Sequence, residues 1–390
     1  MSDTVGNPLF SRMPTTVFEV MSRLAQQHDA VNLGQGFPDD RGPADVLQAA
    51  ADALLDGYNQ YPSMWGIPAL REAVAAHGAH FYGIEADWQT EVMVASGATE
   101  ALAASLLGLI RPGDEVVLFE PLYDCYLPIV RLAGGVPRFV SLKPPHWRFT
   151  RADLEAAFGP RTRVVLLNDP LNPAGKVFER AELELIAEFV QRHDAVAVCD
   201  EAYEHIVFDG RRHVPLMTLP GMRERCVRIG SAGKTFSLTG WKVGYATAAA
   251  ALLQPIAKAH QFLTFTTPPN LQAGVAHGLR KDPSYFSGLA GDMQARRDRL
   301  AAGLSGAGFG VLPVEGTYFL IADYRPTGFR GTDEEFCRRL IVEAGVAAIP
   351  LSAFFAQSPV EGYVRFCFCK QDAVLDTAVK RLAAHFVPAA

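Results

Sequence analysis

The sequence predicts an α/β protein in which helices wrap a mostly parallel sheet, with a smaller α+β unit after it. Short runs rich in Val, Ile and Leu on consecutive positions indicate strands that are buried on both faces. Longer amphipathic stretches separate these runs, which is the alternation expected of a parallel sheet. After about residue 285 the alternation stops, and a long helix precedes two further apolar segments.

We expect buried strands in EVMVASG, EVVLFEP, RVVLLND, VAVCDEAY and CVRIGSAGK. Apolar residues recur at three- and four-residue spacing, which predicts helices, in PADVLQAAADALLDG, GATEALAASLLGLI, RAELELIAEFVQRHD and around DMQARRDRLAAGL. The last two apolar segments are GTYFLIADY and GYVRFCFCK. These patterns predict an N-terminal segment (residues 1–45) that packs with the smaller unit, a large domain (46–285) and a small C-terminal domain (286–390).

Composition excludes several classes of protein. The chain has 390 residues, of which 49% are hydrophobic and 20% charged, as expected of a globular protein with two domains. The net charge of −6 and the scattered Lys and Arg residues predict that it binds no nucleic acid. No apolar run approaches the roughly 18 residues of a membrane span, and no N-terminal signal is visible, so we expect a cytoplasmic protein without a membrane partner. The six cysteines lack metal-ligand spacing, which predicts reduced core thiols and no metal.

The segment SAGKTFSLTGWKVGY, residues 231 to 245, places Lys234 among small and hydroxyl side chains directly after a predicted strand. An amine nucleophile needs a lowered pKa, which burial and a nearby cation such as Lys242 provide. Taken alone, the pattern also fits an ordinary loop lysine. The neighbouring motifs favour the nucleophile.

Two other predicted strands end in polar residues that suit a pyridine cofactor. Asp200 ends the strand in VAVCDEAYEH, and a carboxylate there can keep a pyridinium nitrogen protonated. Tyr203 can reach the phenolic oxygen of the same ring. Asn172, in the stiff turn of NDPLNP, offers an amide donor to that oxygen and to a substrate. In isolation Asp200 fits a helix N-cap and Asn172 an ordinary turn equally well.

The segment ASGATEALAAS runs from small residues straight into a helix. We expect the backbone N–H groups of Gly97, Ala98 and Thr99 to be free to bind a phosphate. Junctions of this kind are also common in α/β proteins that bind no ligand there.

Together these motifs resemble those of the class I aminotransferases of fold type I, which depend on pyridoxal 5′-phosphate. The resemblance extends from about residue 14 to about residue 385 and is greatest to the branch of kynurenine/glutamine transaminase K, methionine aminotransferase and N-succinyldiaminopimelate aminotransferase. It implies a large domain with a mostly parallel seven-stranded sheet and a smaller α+β domain. The motifs that carry it are VNLGQGFPD, NQYP, SGATEAL, NDPLNP, DEAYEH, SAGKTFSLTGWKVGY and VRFCFCK.

The resemblance implies a role for each candidate residue. Lys234 holds the cofactor covalently and acts in catalysis with Asp200 and Tyr203, and Asn172 completes the ring contacts. Several further residues are implied in binding the cofactor, namely Ser231 and Lys242 with Gly97, Ala98 and Thr99 at the phosphate, and Tyr123 on the ring face. The residues implied in binding the substrate are Arg365 and the Gly36 backbone at the α-carboxylate, Asn172, and Phe18 in the side-chain pocket.

The resemblance also implies a homodimer with shared active sites. Tyr61 matches a residue that reaches the phosphate of the neighbouring subunit in relatives, and Phe265 matches an aromatic residue at the neighbouring substrate pocket. As plain residues, both are equally compatible with a core or interface position.

The predicted activity is transfer of an α-amino group from an L-amino acid to a 2-oxo acid with ping-pong kinetics. Phe18 favours glutamine, methionine or aromatic amino acids, with 2-oxoglutarate as the acceptor, whereas VAAIPLSAF and the C-terminal motif resemble the N-succinyldiaminopimelate enzymes more closely. Two alternatives are a cysteine-conjugate C–S β-lyase and a non-catalytic regulator that binds the cofactor. Asp169 and Leu171 depart from the hydroxyl residue and His that many relatives carry in this turn.

Overall fold

The computed structural model describes residues 6–11 and 13–386. Within this part of the chain the α-helices, labelled α1 to α15 in order, are Pro8–Ser11, Val17–Gln27, Ala44–Leu55, Pro68–Tyr82, Trp88–Glu91, Ala98–Leu109, Tyr126–Leu132, Arg151–Ala157, Arg180–Arg192, Ala232–Thr235, Ala250–Leu263, Pro269–Leu279, Pro283–Gly306, Asp333–Arg339 and Asp372–Phe386. The strands, labelled β1 to β13, are Val31–Asn32, Val92–Ala95, Glu115–Glu120, Val136–Ser141, Thr162–Asn168, Val196–Asp200, Cys226–Ser231, Gly244–Ala248, Gly310–Val311, Phe319–Asp323, Val346–Ala347, Ile349–Pro350 and Tyr363–Cys367.

A seven-stranded sheet forms the centre of the molecule, in the order β2-β8-β7-β6-β5-β3-β4. The neighbouring strands from β7 to β4 are parallel, and β8 is antiparallel to both β7 and β2. This arrangement confirms the predicted mostly parallel sheet of an α/β protein.

Successive residues of the central strands face opposite sides of the sheet, as the geometry of a β-strand requires. In β3, Val116 and Leu118 belong to the core beneath α6 and α11, whereas Val117 and Phe119 belong to the core on the opposite face, which includes residues of α9. Both faces are therefore covered, which explains why β3 is apolar at four consecutive positions.

The smaller α+β unit after about residue 285, called the second unit below, contains a four-stranded antiparallel sheet in the order β12-β13-β10-β9. The long helix α13 packs against α15. Near the N-terminus, β1 pairs in parallel with β11, so that Val31 lies opposite Val346. The N-terminal segment therefore contacts the C-terminal part of the chain. The boundaries at residues 45 and 285 stay a prediction.

The parallel strands bring three polar residues to one edge of the central sheet. Asn168, Asp200 and Ser231 are the last residues of β5, β6 and β7, which lie side by side and run in the same direction. Ligands of open α/β sheets bind at this carboxyl edge.

Two further structural features concern the state of the cysteines and the length of the apolar helices. All six cysteines are free thiols, and the Sγ atoms of Cys367 and Cys369 lie 3.1 Å apart. Among the described residues, no helix is long and apolar enough to cross a membrane.

Candidate functional site

A cavity of about 340 Å³ opens at the carboxyl edge of the central sheet, between that sheet and the second unit. It brings together thirteen of the residues singled out from the sequence, which are Phe18, Gly36, Gly97, Ala98, Thr99, Tyr123, Asn172, Asp200, Tyr203, Ser231, Lys234, Lys242 and Arg365. Tyr61 and Phe265 do not line it.

Lys234 lies in the single-turn helix α10, which follows β7 directly. Its Nζ donates a hydrogen bond to the hydroxyl of Tyr318 at 2.9 Å. Burial lowers the pKa of Lys234, because an ammonium group loses solvation in the cavity. The amine is therefore closer to its neutral, nucleophilic form than a lysine at the surface.

Asp200, a residue that is 6% exposed, lines the cavity and is held by two hydrogen bonds. One carboxylate oxygen accepts from the hydroxyl of Tyr126 at 2.6 Å, and the other accepts from the N–H of Ala202 at 3.2 Å. Burial raises the pKa of Asp200, and these hydrogen bonds act in the opposite direction. A cationic partner in the cavity would stabilise the ionised carboxylate further.

The turn after β5 is tied to the end of β6. The amide of Asn168 donates to the carbonyl of Asp200 at 2.9 Å, and the N–H of Asn172 donates to Asn168 Oδ1 at 2.8 Å. Arg365 Nη1 donates to Asn172 Oδ1 at 3.0 Å. Since Asn172 Oδ1 accepts from Arg365, the amide NH₂ of Asn172 is the part of the side chain that remains for a ligand, and it acts as a donor.

Two tyrosines contribute rings to the cavity. Tyr203 contacts the ring of Tyr318 edge to face, with 5.0 Å between the centroids. Tyr123 makes a similar contact with Tyr126 at 5.8 Å. Burial raises the pKa of Tyr203, so its phenol stays protonated and can donate a hydrogen bond.

The start of α6 partly corrects the expectation for the phosphate site. The N–H of Gly97 is not free, because it donates to the carbonyl of Ala95 at 2.8 Å. Gly97 has a φ of 85°, which turns the chain sharply between β2 and the helix. The predicted N–H donors that remain are those of Ala98 and Thr99, at the positive end of the helix.

Lys242 lies beside this turn. A Cβ atom on Gly97 would lie 3.5 Å from Lys242 Nζ, so the amine is adjacent to the helix start. Ser231 also lines this part of the cavity. Backbone N–H groups, an ammonium and a hydroxyl form a donor set that suits a phosphate.

Arg365 is buried on β13 and keeps one donor unpaired. Nη2 donates to the carbonyl of Gly34 at 2.8 Å, whereas Nε has no partner among the described residues. Its guanidinium lies 3.9 Å from the ring centroid of Phe319 and 5.2 Å from that of Phe18. Burial lowers the pKa of Arg365 to about 10, so the side chain stays charged near pH 7 and can bind a carboxylate.

Gly36 lies against the aromatic wall of the cavity. A Cβ atom at this position would lie 2.4 Å from Phe319 Cζ, so a larger residue would displace the ring. The backbone can approach a ligand closely here because the residue is glycine.

Tyr61 and Phe265 contact each other instead of the cavity. Their rings meet edge to face at 5.6 Å. Tyr61 is 83% exposed and Phe265 39% exposed. Within one chain neither reaches the site, and their predicted contribution to a neighbouring subunit stays a prediction.

Several residues at the site were not predicted. Tyr126 and Asn168 line the cavity and hold Asp200, and Tyr318, outside the lining, contacts Lys234. Tyr126 lies one helical turn after Tyr123, which was an available signal. Other lining residues that were not predicted are Gln35, Phe37, Leu102, Asp124, Ala202, Gly233, Thr239, Val243 and Phe319.

Buried ion pairs surround the turn that carries Asp169. His213 lies with Nδ1 3.4 Å from Asp169 Oδ2 and Nε2 3.0 Å from Glu201 Oε2. Arg228 also pairs with Glu201, at 2.5 Å, and with Glu204. These charges connect the turn after β5 with the segment after β6.

Three potential metal ligands, His77, Glu204 and His205, lie within 4.8 Å of one another beside these ion pairs. Glu204 is already neutralised by Arg228. The expected absence of a metal stays a prediction.

The fold and this donor set are those expected of an enzyme that binds a phosphorylated pyridine aldehyde. The family model for aminotransferases of class I and II matches residues 28–382. The chain belongs to this family, and it is an aminotransferase that depends on pyridoxal 5′-phosphate. This confirms the family, the fold type and the reaction class indicated by the sequence motifs, and it favours neither the β-lyase nor the regulator.

Individual relatives match over nearly their full length. A probable N-succinyldiaminopimelate aminotransferase of Mycobacterium tuberculosis is 47% identical over 380 residues, which cover 95% of this chain and 96% of the relative. A methionine aminotransferase of Escherichia coli is 42% identical, over 97% of this chain and 99% of the relative. The solved structure of N-succinyldiaminopimelate aminotransferase from M. tuberculosis superposes with a TM-score of 0.95 at 45% identity, over 97% of this chain and 100% of that chain.

The cavity fits this cofactor by the chemistry of its donors. A buried carboxylate, an amine and an amide lie at the ends of adjacent strands, and the start of α6 and Lys242 line the same cavity. The first two suit a pyridinium nitrogen and an aldehyde, and the N–H groups at the helix start together with the lysine suit a phosphate.

Proposed function

We propose that Lys234 is the catalytic amine of this aminotransferase, that Asp200 pairs with the ring nitrogen of the cofactor, and that Arg365 binds the α-carboxylate of the substrate. The observation that carries the proposal is that all three line one cavity. Arg365 has a buried Nε without a partner among the described residues, and a planar guanidinium matches a carboxylate in geometry and charge.

The remaining residues complete the cofactor site in this proposal. Asn172 and Tyr203 donate to the ring hydroxyl, and Tyr123 stacks on the ring. Ser231, Lys242 and the N–H groups of Ala98 and Thr99 bind the phosphate. The Gly97 backbone shapes the turn, since its own N–H is occupied.

When bound, the cofactor supplies an aldehyde for the amino group and a ring that withdraws electrons from the substrate Cα. Arg365 orients the substrate by its carboxylate, so that the Cα–H bond lies near Lys234. Lys234 Nζ accepts the Cα proton, which it can do because burial favours its neutral form. Tyr126 keeps Asp200 oriented toward the ring nitrogen through their 2.6 Å hydrogen bond.

For the substrate, we propose an L-amino acid with an uncharged side chain, such as methionine, glutamine or an aromatic amino acid. The described residues that line the cavity include three cations, Lys234, Lys242 and Arg365, and each already has a role. Aromatic rings, among them Phe18 and Phe37, line the rest together with Gln35 and Asp124. A distal carboxylate, as in N-succinyldiaminopimelate, finds no free cation on this lining.

The proposed active unit is a homodimer located in the cytoplasm. Tyr58, Tyr61 and Phe262 are 87%, 83% and 84% exposed, which is unusual for large aromatic residues on one chain. A second copy that covers them would bring Tyr61 and Phe265 toward the neighbouring cavity. The six free thiols support a reducing compartment.

The substrate proposal is tested by following the absorption of the bound cofactor while single amino acids are added to the purified enzyme. We expect methionine, glutamine and phenylalanine to convert the cofactor at least about tenfold more efficiently than N-succinyl-LL-diaminopimelate, since tenfold corresponds to about 1.4 kcal/mol of lost charge pairing. The reverse order would overturn the proposed substrate class.

The second half-reaction, in which a 2-oxo acid takes up the amino group, tests the acceptor. The 2-oxo acids to compare are 2-oxoglutarate and those of methionine and phenylalanine, since the acceptor contacts the same cavity lining as the donor. Release of pyruvate from a β-substituted cysteine, measured in parallel, reports the lyase reaction.

A further inference from the structure

Tyr318 lies between the amine of Lys234 and the backbone of Gly36. Its hydroxyl oxygen accepts a hydrogen bond from Lys234 Nζ at 2.9 Å. The same hydroxyl donates to the carbonyl of Gly36 at 2.6 Å. Neither residue is near Tyr318 in the sequence, because the contacts join positions 84 and 282 residues apart.

The phenol of Tyr318 can act only as an acceptor toward Lys234. A tyrosine hydroxyl has one proton, and that proton is used in the bond to Gly36. Burial raises the pKa of Tyr318 well above its usual value, so the phenol does not ionise at neutral pH. The Lys234 amine is therefore the donor in this pair.

The ring of Tyr318 is held in place from several directions. It is 1% exposed and contacts the rings of Tyr203 and Phe319, with centroids 5.0 Å and 4.8 Å away. Its carbonyl accepts from the N–H of Phe368 at 2.9 Å. The preceding residue, Thr317, has a φ of 66°. An acceptor that is fixed in this way can orient a flexible lysine.

We propose that Tyr318 is a positioning residue for Lys234, which fixes one N–H of the free amine so that its lone pair is directed away from Tyr318 and into the cavity. This inference rests on the proposed role of Lys234 as the catalytic amine. Of the four positions around Nζ, Cε occupies one and the hydrogen bond to Tyr318 a second. The lone pair is restricted to the two that remain.

The consequence concerns the removal of the substrate α-proton. In this step the Cα–H bond breaks, the proton moves to the lone pair of Lys234, and the bonding electrons remain with the substrate carbon. Tyr318 takes up no proton, because its phenol stays protonated throughout. A correctly aligned base lowers the barrier by positioning, and a loss of alignment costs about 10- to 100-fold in rate.

The test compares Tyr318→Phe with the wild-type enzyme and with Tyr324→Phe as a matched control. Tyr324 is equally buried and donates its hydroxyl to the carbonyl of Gly331 at 2.8 Å, away from the cavity. For each protein, three quantities are measured: borohydride fixation of the cofactor at residue 234, the half-reaction with L-methionine and with L-methionine deuterated at Cα, and the pH dependence of Lys234 acylation in the cofactor-free chain, read by mass spectrometry.

For Tyr318→Phe we expect cofactor fixation as in the wild type, a half-reaction slowed about 10- to 100-fold, and a larger deuterium isotope effect. The acylation midpoint should move to lower pH, because loss of an acceptor disfavours the ammonium form. Tyr324→Phe should change none of these. A role in packing alone would leave the isotope effect and the acylation midpoint unchanged, and that result would overturn the proposal.

The two proposals fail in different ways. If borohydride fixes no cofactor at residue 234 of the wild type, the proposed function fails. If the wild type is labelled and Tyr318→Phe behaves like it, only the role of Tyr318 fails. Should Tyr318→Phe not fold, 2,3-difluorotyrosine at position 318 decides the question, because it keeps the shape of the ring while weakening the acceptor. At neutral pH we then expect a slowed half-reaction and a larger isotope effect, both in smaller measure, and their absence contradicts the proposal.

Discussion

In our proposal the amine of Lys234 has two functions, attack on the cofactor aldehyde and acceptance of the substrate proton. An amine must be neutral to attack an aldehyde or to accept a proton, and burial in the cavity favours that form. Charges nearby act in both directions, since Asp200 favours the ammonium form and Arg365 opposes it. The reactivity of Lys234 therefore depends on its burial, and on the charges near it, at the edge of the sheet.

Replacement of Lys234 by Ala removes both functions. We expect the transaminase rate to fall by about 10³-fold or more, as for loss of a nucleophile and general base in one residue. The cofactor should still bind through its phosphate and ring contacts. Absorption spectra with and without borohydride, followed by peptide mass spectrometry, check this prediction. The control is Lys258→Ala, which removes an exposed lysine. Borohydride fixation that persists in Lys234→Ala would contradict the assignment.

At Arg365 geometry matters as much as charge. Arg365→Lys keeps a cation but loses the planar fork that can bind a carboxylate through two parallel hydrogen bonds. We expect kcat/KM for the amino acid to fall about 30- to 100-fold, equivalent to roughly 2–3 kcal/mol, mainly through KM.

Steady-state kinetics on Arg365→Lys and on Arg299→Lys, an exposed substitution of the same type, check the prediction. Unchanged KM in Arg365→Lys would show that the substrate carboxylate binds elsewhere.

At the scale of elements, buried charges connect the turn after β5 with the segment after β6. Burial alone would lower the pKa of His213, but the charge of Glu201, together with Asp169, outweighs this and raises it to about 10. The protonated imidazole thus links two segments that carry Asn172 and Asp200. Asp169, which departs from the usual residue of this turn, is one of its two partners.

We expect His213→Gln to destabilise the protein by about 3 kcal/mol, because it leaves two buried carboxylates with less compensation. The pKa of His213 is higher in the folded protein than its unfolded value of about 6.5, so its contribution to the free energy of unfolding is fully present below pH 6.5. This contribution is lost as the pH rises through about 10, the pKa of His213 in the folded protein. The difference in thermal midpoint between wild type and variant should therefore shrink from pH 6.5 to pH 10.

Thermal unfolding at several pH values measures this effect, with the exposed His146→Gln as the control. A difference that grows with pH would show that His213 is neutral in the folded protein.

The sequence predicted elements whose signal is local. Strands such as β3 were recognisable because both of their faces are buried and their residues are apolar in succession. Strand β8, Gly244–Ala248, was not predicted, since Gly and Ala hold three of its five positions and both are depleted in strands. Asp200 and Lys234 could be predicted because Asp200 ends an apolar strand and Lys234 closely follows one, so that both stand out in the sequence. Tyr318 could not, because its role depends on contacts with residues far away in the chain.

At the scale of the whole molecule, one chain leaves a set of aromatic residues uncovered. Tyr58, Tyr61 and Phe262 are exposed, and no local motif indicates what covers them. The resemblance to a family supplied the expectation that a second copy of the chain covers them. An isologous dimer would bury the same surface on both copies.

The solution mass checks the dimer directly. We expect the enzyme to sediment at twice the 42.3 kDa of one chain, and Phe262→Asp to shift it toward the monomer and to lower activity with it. A charge at this position costs desolvation only if the residue is buried between copies. Arg299→Lys serves again as an exposed control. A monomeric and fully active wild type would contradict the proposed unit.

Shared active sites make a sharper prediction, because they require residues of one copy to act on the other. Lys234→Ala chains lack the amine but keep Tyr61, and Tyr61→Ala chains keep the amine, so a hybrid dimer contains one complete site. If equal amounts of the two inactive proteins exchange subunits at random, half of the dimers are hybrids, and about a quarter of the wild-type activity should return. Activity that stays at the sum of the separate variants after exchange, verified by mass spectrometry of the mixed dimers, would place Tyr61 in the site of its own chain or outside both sites.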